Sequence, residues 1–356
     1  MKKILVLGAT GAMGKPLMEK LSQNEDNLLF ATSRKKQTDG KIKWICCNAH
    51  DMDSLQEILK TDYDAIVDFM VYTVAEFKER YKLFLEKTRQ YIFISSARVY
   101  APSDSIIKEE SPRILDICND KDYIRRESYD IAKAMQEDML IQSGCKNYTI
   151  LRPSLTYNDN RLQLALYEKD EWLSRVLLNK SLVFPKEMEG VNTTMTWGDD
   201  VATLICEIIL NPETYSEIFN VTCGMAMTWG EIWRVYSEII ENETGIKSKV
   251  FSEIRGEEVA SHLNRYYQYI YARGIDRVVS NEKILKAVGE IHFISMEDGL
   301  RQCLHNCLKE QSGRTNFNFR QEGYLDKITN EWTHLSEFDS WKHKLGYFLC
   351  RIGMNI

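Results

Sequence analysis

The chain has 356 residues, of which 44% are hydrophobic and 28% are charged. This length suits one large α/β domain with an attached lobe or two modest domains, and this composition excludes global disorder. The 46 Lys and Arg residues against 52 Asp and Glu residues give a formal net charge of −6, which repels a phosphodiester backbone. We therefore expect no nucleic-acid partner.

Membrane and metal partners are not indicated either. The sequence contains no run of about 18 apolar residues, so we expect no membrane partner. Its nine cysteines are scattered without a CxxC pair. This pattern favours reduced thiols, a cytoplasmic location and no metal site.

Short apolar runs alternate with helical patterns through the first 155 residues. We predict strands at 3–7, 27–32, 43–46, 65–69, 91–95 and 148–152, and helices at 14–24, 53–60, 73–87 and 128–143. Strands and helices in this rhythm form βαβ units on a parallel sheet with right-handed crossovers. The predicted fold class is therefore α/β, a doubly wound parallel sheet of the Rossmann type over residues 1–155.

After Pro153 the regular alternation stops. Turns rich in Asn and Asp, with helices near 200–210 and 228–242, predict a smaller C-terminal substrate lobe over 156–313 with segments that return to the sheet. Residues 314–356 form a tail rich in aromatic side chains, which we expect to pack on the body or on a second subunit. The aromatic residues of the tail are Phe317, Phe319, Tyr324, Trp332, Phe338, Trp341, Tyr347 and Phe348.

A glycine-rich loop follows the first predicted strand and opens the first predicted helix. Its sequence is Gly8-Ala9-Thr10-Gly11-Ala12-Met13-Gly14. Glycines let the backbone turn tightly and approach a pyrophosphate, while the helix N-terminus offers amides and the positive end of its dipole. We predict that Gly8, Thr10, Gly11, Met13 and Gly14 bind a dinucleotide; the alternative is a tight turn without a ligand.

The choice of dinucleotide depends on the end of the second strand, which has the sequence Ser33-Arg34-Lys35-Lys36. A carboxylate there would hold the 2′-hydroxyl of NAD, whereas Arg34 can bind the 2′-phosphate of NADP, a contact worth roughly 1.5–3 kcal/mol. NADP is therefore the predicted cofactor and NAD the alternative, although three cations after a strand can also be a solvated turn. Asn48, in the next loop, could bind the adenine edge.

The pattern Tyr129-x-x-x-Lys133 places a phenol and an amine one helical turn apart. Ser95-Ser96 lies at the carboxyl end of the fifth strand, the edge where open α/β sheets bind ligands. A phenol with a pKa near 10 is a weak base at neutral pH, and a nearby ammonium favours the phenolate. We predict that Tyr129 moves the proton, Ser96 binds the same substrate oxygen, and Lys133 assists Tyr129 and orients the nicotinamide ribose. A surface Tyr/Lys pair is the alternative.

Five motifs occur in a common order: Gly8-x-x-Gly11-x-x-Gly14, Ser95-Ser96-Ala97-Arg98-Val99-Tyr100, Tyr129-x-x-x-Lys133, Leu151-Arg152-Pro153 and Asp199-Asp200-Val201-Ala202. In these motifs, over about residues 2–310, the chain resembles the extended short-chain dehydrogenase/reductase family of nucleotide-sugar epimerases and dehydratases. The resemblance implies an enzyme with a nucleotide-sugar substrate and Ser96, Tyr129 and Lys133 as its catalytic set. It also implies a possible homodimer.

Further binding residues follow from the same resemblance. It places Pro153 and Ser154 beside the nicotinamide. The segment Arg273-Gly274-Ile275-Asp276-Arg277 is similar to the late arginine motif of the family, so Arg273 or Arg277 could hold the diphosphate of the substrate.

The sequence also departs from the family pattern. Dehydratases of the family carry an Asp-Glu pair after the catalytic hydroxyl residue, where this chain has Ala97 and Arg98, so dehydration is disfavoured. The Ser-Ser-Ala-x-Val-Tyr form looks more like the 4-epimerases, yet many of those have an Asn where this chain has Leu155. We expect an NADP-preferring reductase of a keto-sugar nucleotide. The alternatives are a nucleotide-sugar 4-epimerase that retains its dinucleotide, and a non-catalytic dinucleotide- or RNA-binding relative.

Overall fold

The computed structural model describes residues 1–38, 40–310 and 318–354. These residues form two compact units. Unit 1 consists of the described residues in the ranges Met1–Thr156, Thr194–Met225 and Val278–Ile294. Unit 2 consists of the described residues in the ranges Tyr157–Thr193, Ala226–Arg277 and Ser295–Ile356. The predicted domain boundary between residues 313 and 314 lies outside the described residues, as does Phe317. The division into three domains stays a prediction.

The strands of the described chain are short and are numbered in chain order. They are β1 (Lys2–Leu7), β2 (Asn27–Ser33), β3 (Ile42–Cys46), β4 (Tyr63–Asp68), β5 (Thr88–Ile94), β6 (Tyr148–Pro153), β7 (Leu155–Tyr157), β8 (Ser181–Val183), β9 (Asn192–Thr193), β10 (Met195–Trp197), β11 (Glu217–Val221), β12 (Met227–Thr228) and β13 (Lys249–Phe251).

The α-helices are numbered in the same way. They are α1 (Gly14–Leu21), α2 (Met52–Ile58), α3 (Val74–Glu86), α4 (Ile114–Ile117), α5 (Lys121–Arg125), α6 (Tyr129–Ile141), α7 (Lys169–Leu177), α8 (Gly198–Ile208), α9 (Trp229–Thr244), α10 (Gly256–His262), α11 (Tyr266–Gln268), α12 (Glu282–Val288), α13 (Met296–Glu310), α14 (Phe319–Thr329) and α15 (Trp341–Arg351).

Unit 1 is built on a seven-stranded parallel sheet with the strand order β3-β2-β1-β4-β5-β6-β11. The order changes direction between β1 and β4, because β1 pairs with β2 on one side and with β4 on the other. In such sheets the ligand site lies at the carboxyl ends of the strands beside this switch point. The prediction of a doubly wound, Rossmann-like α/β fold with a smaller C-terminal region is confirmed.

Both faces of the sheet are covered, which explains the continuous apolar sequence of its strands. Successive side chains of β1 alternate between two cores. Ile4 and Val6 join a cluster that includes residues of α1 and α8, whereas Leu5 and Leu7 join a cluster with residues of α2, α3 and α6. The packed apolar clusters on both faces of the sheet thereby fix the positions of the carboxyl ends of β1, β4 and β5.

Unit 2 is mainly helical, and a buried ionic cluster holds its C-terminal tail. Arg175 of α7 and Lys180 before β8 are both buried. The Arg175 guanidinium lies 2.8 Å from the Glu322 carboxylate and 2.9 Å from that of Asp326, both on α14. Lys180 pairs with the same two carboxylates at 2.5 Å. Helix α14 is thus bound to α7 within its own unit.

Candidate active site

The glycine loop between β1 and α1 has a backbone that requires glycine at two positions. Gly8 has a φ of +75°, a conformation that favours glycine, and its amide donates to Thr32 Oγ1 at 3.2 Å. A Cβ on Gly14 would lie 2.7 Å from the carbonyl oxygen of Gly8. Any larger residue at 14 would therefore push α1 away from the loop.

The start of α1 suits an anion. Its N-cap residue, Met13, makes no side-chain capping hydrogen bond, and the first turn contains no acidic residue. Thr10 is exposed within the same loop. Backbone amides and the positive end of a helix dipole, without a competing carboxylate, favour a bound phosphate group. These residues fit the pyrophosphate of a dinucleotide.

The loops after β2 and β3 carry the residues predicted to select the dinucleotide. Arg34, Lys35 and Lys36 are all exposed, and the Lys35 amide donates to Ser33 Oγ at 3.2 Å. Asn48 is also exposed, and its Oδ1 accepts a hydrogen bond from the His50 amide at 3.3 Å. Three accessible cations at this edge fit a dinucleotide with an additional phosphate.

Ser96 and Tyr129 both contact Arg98, beyond the carboxyl end of β5. Ser96 caps a 3₁₀ turn, Ala97–Val99, and its Oγ accepts a hydrogen bond from the Arg98 amide at 3.2 Å. The Arg98 guanidinium lies 5.4 Å from the ring centre of Tyr129, which is the first residue of α6 and 36% exposed. Tyr129 is therefore accessible and is linked through Arg98 to the turn that Ser96 caps after β5.

Lys133 lies one turn further along α6 and is buried, with 2% of its surface exposed. Its Nζ donates to the Ile94 carbonyl at 2.7 Å and to the Met70 carbonyl at 3.4 Å. Burial lowers the pKa of Lys133 to about 8, while the charges of Asp68 and Glu137 act in the opposite direction. An ammonium has three N–H donors, so one donor remains beyond these two carbonyls.

Pro153 is the last residue of β6 and Ser154 follows it; both are buried. The Ser154 hydroxyl is 2.7 Å from Thr196 Oγ1, and the Ser154 amide donates to the Val221 carbonyl at 3.2 Å. Their position at the carboxyl end of a sheet strand agrees with a ligand-binding edge, although the Ser154 side chain already contacts Thr196.

Arg273 and Arg277 belong to unit 2; Arg273 is the last residue of a π-helix, Tyr269–Arg273, and Arg277 lies four residues further along the chain. Both are buried, with 6% and 7% of their surfaces exposed. The Arg273 guanidinium lies 5.6 Å from the ring centre of Trp229, and the Arg277 amide donates to the Asn192 carbonyl at 2.9 Å. Their role in substrate binding stays a prediction.

The described residues contain neither a metal-binding cluster nor a membrane-spanning helix. No set of three or more His, Cys, Asp or Glu side chains in ranges 1–38, 40–310 and 318–354 could hold a metal ion. In the same ranges, no helix has the length and apolar character needed to cross a lipid bilayer.

The sequence profile of the NAD dependent epimerase/dehydratase family matches residues 4–222. This match covers more than half of the chain and includes the glycine loop, Ser96, Tyr129 and Lys133. The chain belongs to this family. It is therefore a member of an enzyme family, as the sequence motifs predicted, whereas a search of curated proteins found no match.

Solved structures with the fold of the family are numerous. One is a UDP-N-acetylglucosamine 4-epimerase from Methanobrevibacter ruminantium in complex with UDP-N-acetylmuramic acid, at 16% identity and a TM-score of 0.65 over 87% of this chain and 99% of that one. Another is a UDP-glucuronic acid 4-epimerase from Bacillus cereus with UDP-glucuronic acid and NAD, at 16% identity and a TM-score of 0.62 over 86% and 99%. A dTDP-glucose 4,6-dehydratase from Bacillus anthracis in complex with NAD has 13% identity and a TM-score of 0.65 over 87% and 97%. At these identities the likeness shows the fold.

The structure of this family member adds a buried carboxylate that the sequence analysis missed. Glu137 is fully buried and accepts hydrogen bonds from Ser95 Oγ at 2.6 Å and from Arg152 Nε and Nη2 at 2.8 and 2.7 Å. It thereby ties together the ends of β5 and β6. The sequence contained a signal for Glu137, because Tyr129, Lys133 and Glu137 follow one another at intervals of four residues and so share one face of α6.

Arg98 was noted only as a departure from the dehydratase pattern, yet it lies over the Tyr129 ring. Its Nη2 is also 3.9 Å from Asp130 Oδ2. Asp130 in turn accepts hydrogen bonds from the Tyr123 and Ser128 hydroxyls at 2.5 and 2.7 Å. Sequence spacing gave no signal for this contact, because it depends on how the 3₁₀ turn packs against α6.

Proposed function

We propose that this chain catalyses the NADP-dependent reduction of a ketone on a nucleotide sugar to a secondary alcohol. The observation that carries the proposal is the buried Lys133 one helical turn from the accessible Tyr129, with its Nζ on the carbonyl of Ile94, the last residue of β5, two residues before Ser96. A phenol, an ammonium and a hydroxyl in this arrangement can deliver a proton to a carbonyl oxygen. Ala97 and Arg98 supply no carboxylate beside Ser96, so elimination of water is disfavoured.

The residues that would hold the dinucleotide are those of the glycine loop, with Gly8, Thr10, Gly11, Met13 and Gly14 around the pyrophosphate. Arg34 would pair with the 2′-phosphate, Asn48 would contact the adenine, and Pro153 and Ser154 would border the nicotinamide. When bound, the reduced dinucleotide supplies the hydride.

The proton comes from the protein. Tyr129 donates its phenolic proton to the substrate oxygen while Ser96 holds that oxygen with a hydrogen bond. The Lys133 ammonium stabilises the phenolate that remains, because a nearby positive charge favours the ionised phenol. The remaining N–H donor of Lys133 would also orient the nicotinamide ribose. Water then returns the proton to Tyr129.

The substrate class rests on the family and on the molecules bound by proteins of the same fold. The two 4-epimerases described above are complexes with UDP-linked ligands. Arg273 and Arg277 are the residues we propose for the diphosphate of such a substrate. A cytoplasmic location and a homodimer stay predictions.

A 4-epimerase is the second candidate. The form Ser95-Ser96-Ala97-Arg98-Val99-Tyr100 looks like that of the 4-epimerases, and the same Ser, Tyr and Lys residues would serve both reactions. The difference lies in the cofactor, since an epimerase must keep it through the keto intermediate and a reductase must exchange it. Arg34 favours the reductase. It predicts NADP as the cofactor, whereas the epimerase and the dehydratase described above are complexes with NAD.

The cofactor assignment is tested by titrating NADP and NAD against the parent and Arg34→Asp. We expect the parent to bind NADP about tenfold to a hundredfold more tightly than NAD, the worth of one charge-assisted contact, and the variant to reverse this preference. Lys78→Asp makes the same change of charge at an exposed position on α3 and should keep the preference. Tighter binding of NAD by the parent would refute the assignment.

A further inference from the structure

Asp68 is a carboxylate buried inside unit 1, at the last position of β4, and none of its surface is exposed. Its Oδ1 accepts a hydrogen bond from the Met70 amide at 2.9 Å, and its Oδ2 accepts one from the Tyr91 hydroxyl at 2.8 Å. The Tyr72 hydroxyl lies 3.5 Å from Oδ1. Neither the sequence motifs nor the mechanism above gives this residue a role.

The groups that contact the Asp68 carboxylate are all hydrogen-bond donors, which suits an anion. A backbone amide can only donate, and burial together with the charge of Asp68 raises the pKa of both tyrosines well above its ordinary value, so their hydroxyls keep their protons. The pKa of Asp68 is raised because the group is buried, and the hydrogen bonds from Met70 and Tyr91 and the charge of Lys133 offset part of that rise. A buried carboxylate surrounded by donors is stabilised as the anion.

Lys133 is the cation on the other side of this cluster. It touches the carbonyl of Met70, the residue whose amide Asp68 holds, and its Nζ lies 4.5 Å from the ring centre of Phe93. Its two carbonyl partners are neutral, and the negative charges that oppose the lowering of its pKa are those of Asp68 on β4 and Glu137 on its own helix. Glu137 is already bound by the Arg152 guanidinium.

The other charged group near Asp68 is Arg80. Its guanidinium lies 4.8 Å from the ring centre of Tyr72 and donates to the His50 carbonyl at 3.1 Å. Arg80 thus contacts Tyr72 and the His50 carbonyl, whereas Lys133 is linked to the carboxylate through the single residue Met70.

We propose that Asp68 is a positioning residue that serves as the counter-charge of Lys133 and fixes, through Met70, the loop that receives the lysine ammonium. This inference rests on the proposed function, in which a charged Lys133 binds the cofactor ribose and stabilises the Tyr129 phenolate. Without Asp68, the buried lysine loses its proton at a lower pH, and the site loses its cation.

The first test follows the affinity for NADPH as a function of pH. In the parent, we expect affinity to fall several-fold as pH rises past the pKa of Lys133, and Lys133→Met should lack this step. Asp68→Asn keeps the shape but removes the charge, and should move the midpoint of the step to lower pH by about one unit or more. Tyr91→Phe removes one hydrogen bond to Asp68 but keeps its charge, and should leave the midpoint in place.

An unchanged midpoint in Asp68→Asn would overturn the proposal, as would an equal shift in Tyr91→Phe, because a merely structural role for Asp68 predicts no difference between the two variants.

The second test is a thermal-unfolding cycle that needs no ligand. Asp68→Asn should lower the melting temperature of the parent more than that of Lys133→Met, because only the parent then contains a buried cation without its counter-charge. If Asp68→Asn fails to fold alone, recovery of folding in the double variant supports the pairing. Equal destabilisation in both backgrounds, or failure of both to fold, overturns it.

The two tests separate this inference from the proposed function. If the parent binds no dinucleotide, or if Lys133→Met keeps the pH step, the proposed role of Lys133 in cofactor binding fails. The unfolding cycle still decides whether Asp68 and Lys133 form a pair.

Discussion

The burial of Lys133 makes a quantitative prediction about stability. The pKa of Lys133 falls from an ordinary value of 10.5 to about 8 in the folded protein. Between these pH values the unfolded chain holds a proton on this lysine that the native protein has lost, so the free energy of unfolding rises with pH. The full effect is about 3 kcal/mol, at about 1.4 kcal/mol for each pH unit, and about 2 kcal/mol of it falls between pH 7 and pH 9.5.

The measurement is urea denaturation of the parent and of Lys133→Met at several pH values in this range. Other groups titrate in both proteins, so the difference between their pH profiles isolates Lys133. Lys78→Met, at an exposed site on α3, controls for the loss of a lysine and should keep the profile of the parent. If parent and Lys133→Met change in parallel across this range, the assignment of a buried, readily deprotonated lysine is wrong.

Two further substitutions test the remaining parts of the site. Tyr129→Phe should reduce turnover by at least about a hundredfold, with NADPH binding nearly unchanged, because it deletes only the proton donor; steady-state rates within a few-fold of the parent would sink that role. Glu137→Gln should lower the free energy of unfolding by about 3 kcal/mol, because it leaves the buried Arg152 cation without its anion. Asp138→Asn is the matched control, because Asp138 pairs with an arginine, Arg113, but is partly exposed. This substitution should lower the free energy of unfolding by less than about 1 kcal/mol in urea denaturation.

The sequence was sufficient to predict most of the scaffold of unit 1. The alternation of apolar strands and helical patterns gave elements within a few residues of their observed bounds, because a sheet covered on both faces requires this pattern. The glycine loop was also predictable, since the φ of Gly8 and the close approach at Gly14 permit few other residues. These features depend on local chemistry.

The hydrogen bonds and ion pairs of the buried charged residues were harder to predict from the sequence. Asp68 follows the apolar run Ala65-Ile66-Val67 and gives no sign that its partners are Tyr91 and Met70. These contacts arise from the packing of β4 against β5 and of the next loop against α6, which spacing along the chain does not encode. The same holds for the ionic cluster of Arg175 with α14, which joins residues about 150 positions apart.

The most direct test of the proposed function is the stoichiometry of NADPH oxidation when purified, extensively dialysed protein is mixed with a 4-keto nucleotide sugar. We expect that one NADPH is consumed for each sugar reduced, that added NADPH is required, and that Tyr129→Phe is nearly inactive. A tightly retained dinucleotide, with interconversion of two epimers and no NADPH consumed, would contradict the reductase and support the 4-epimerase. Binding of RNA without any dinucleotide would contradict both.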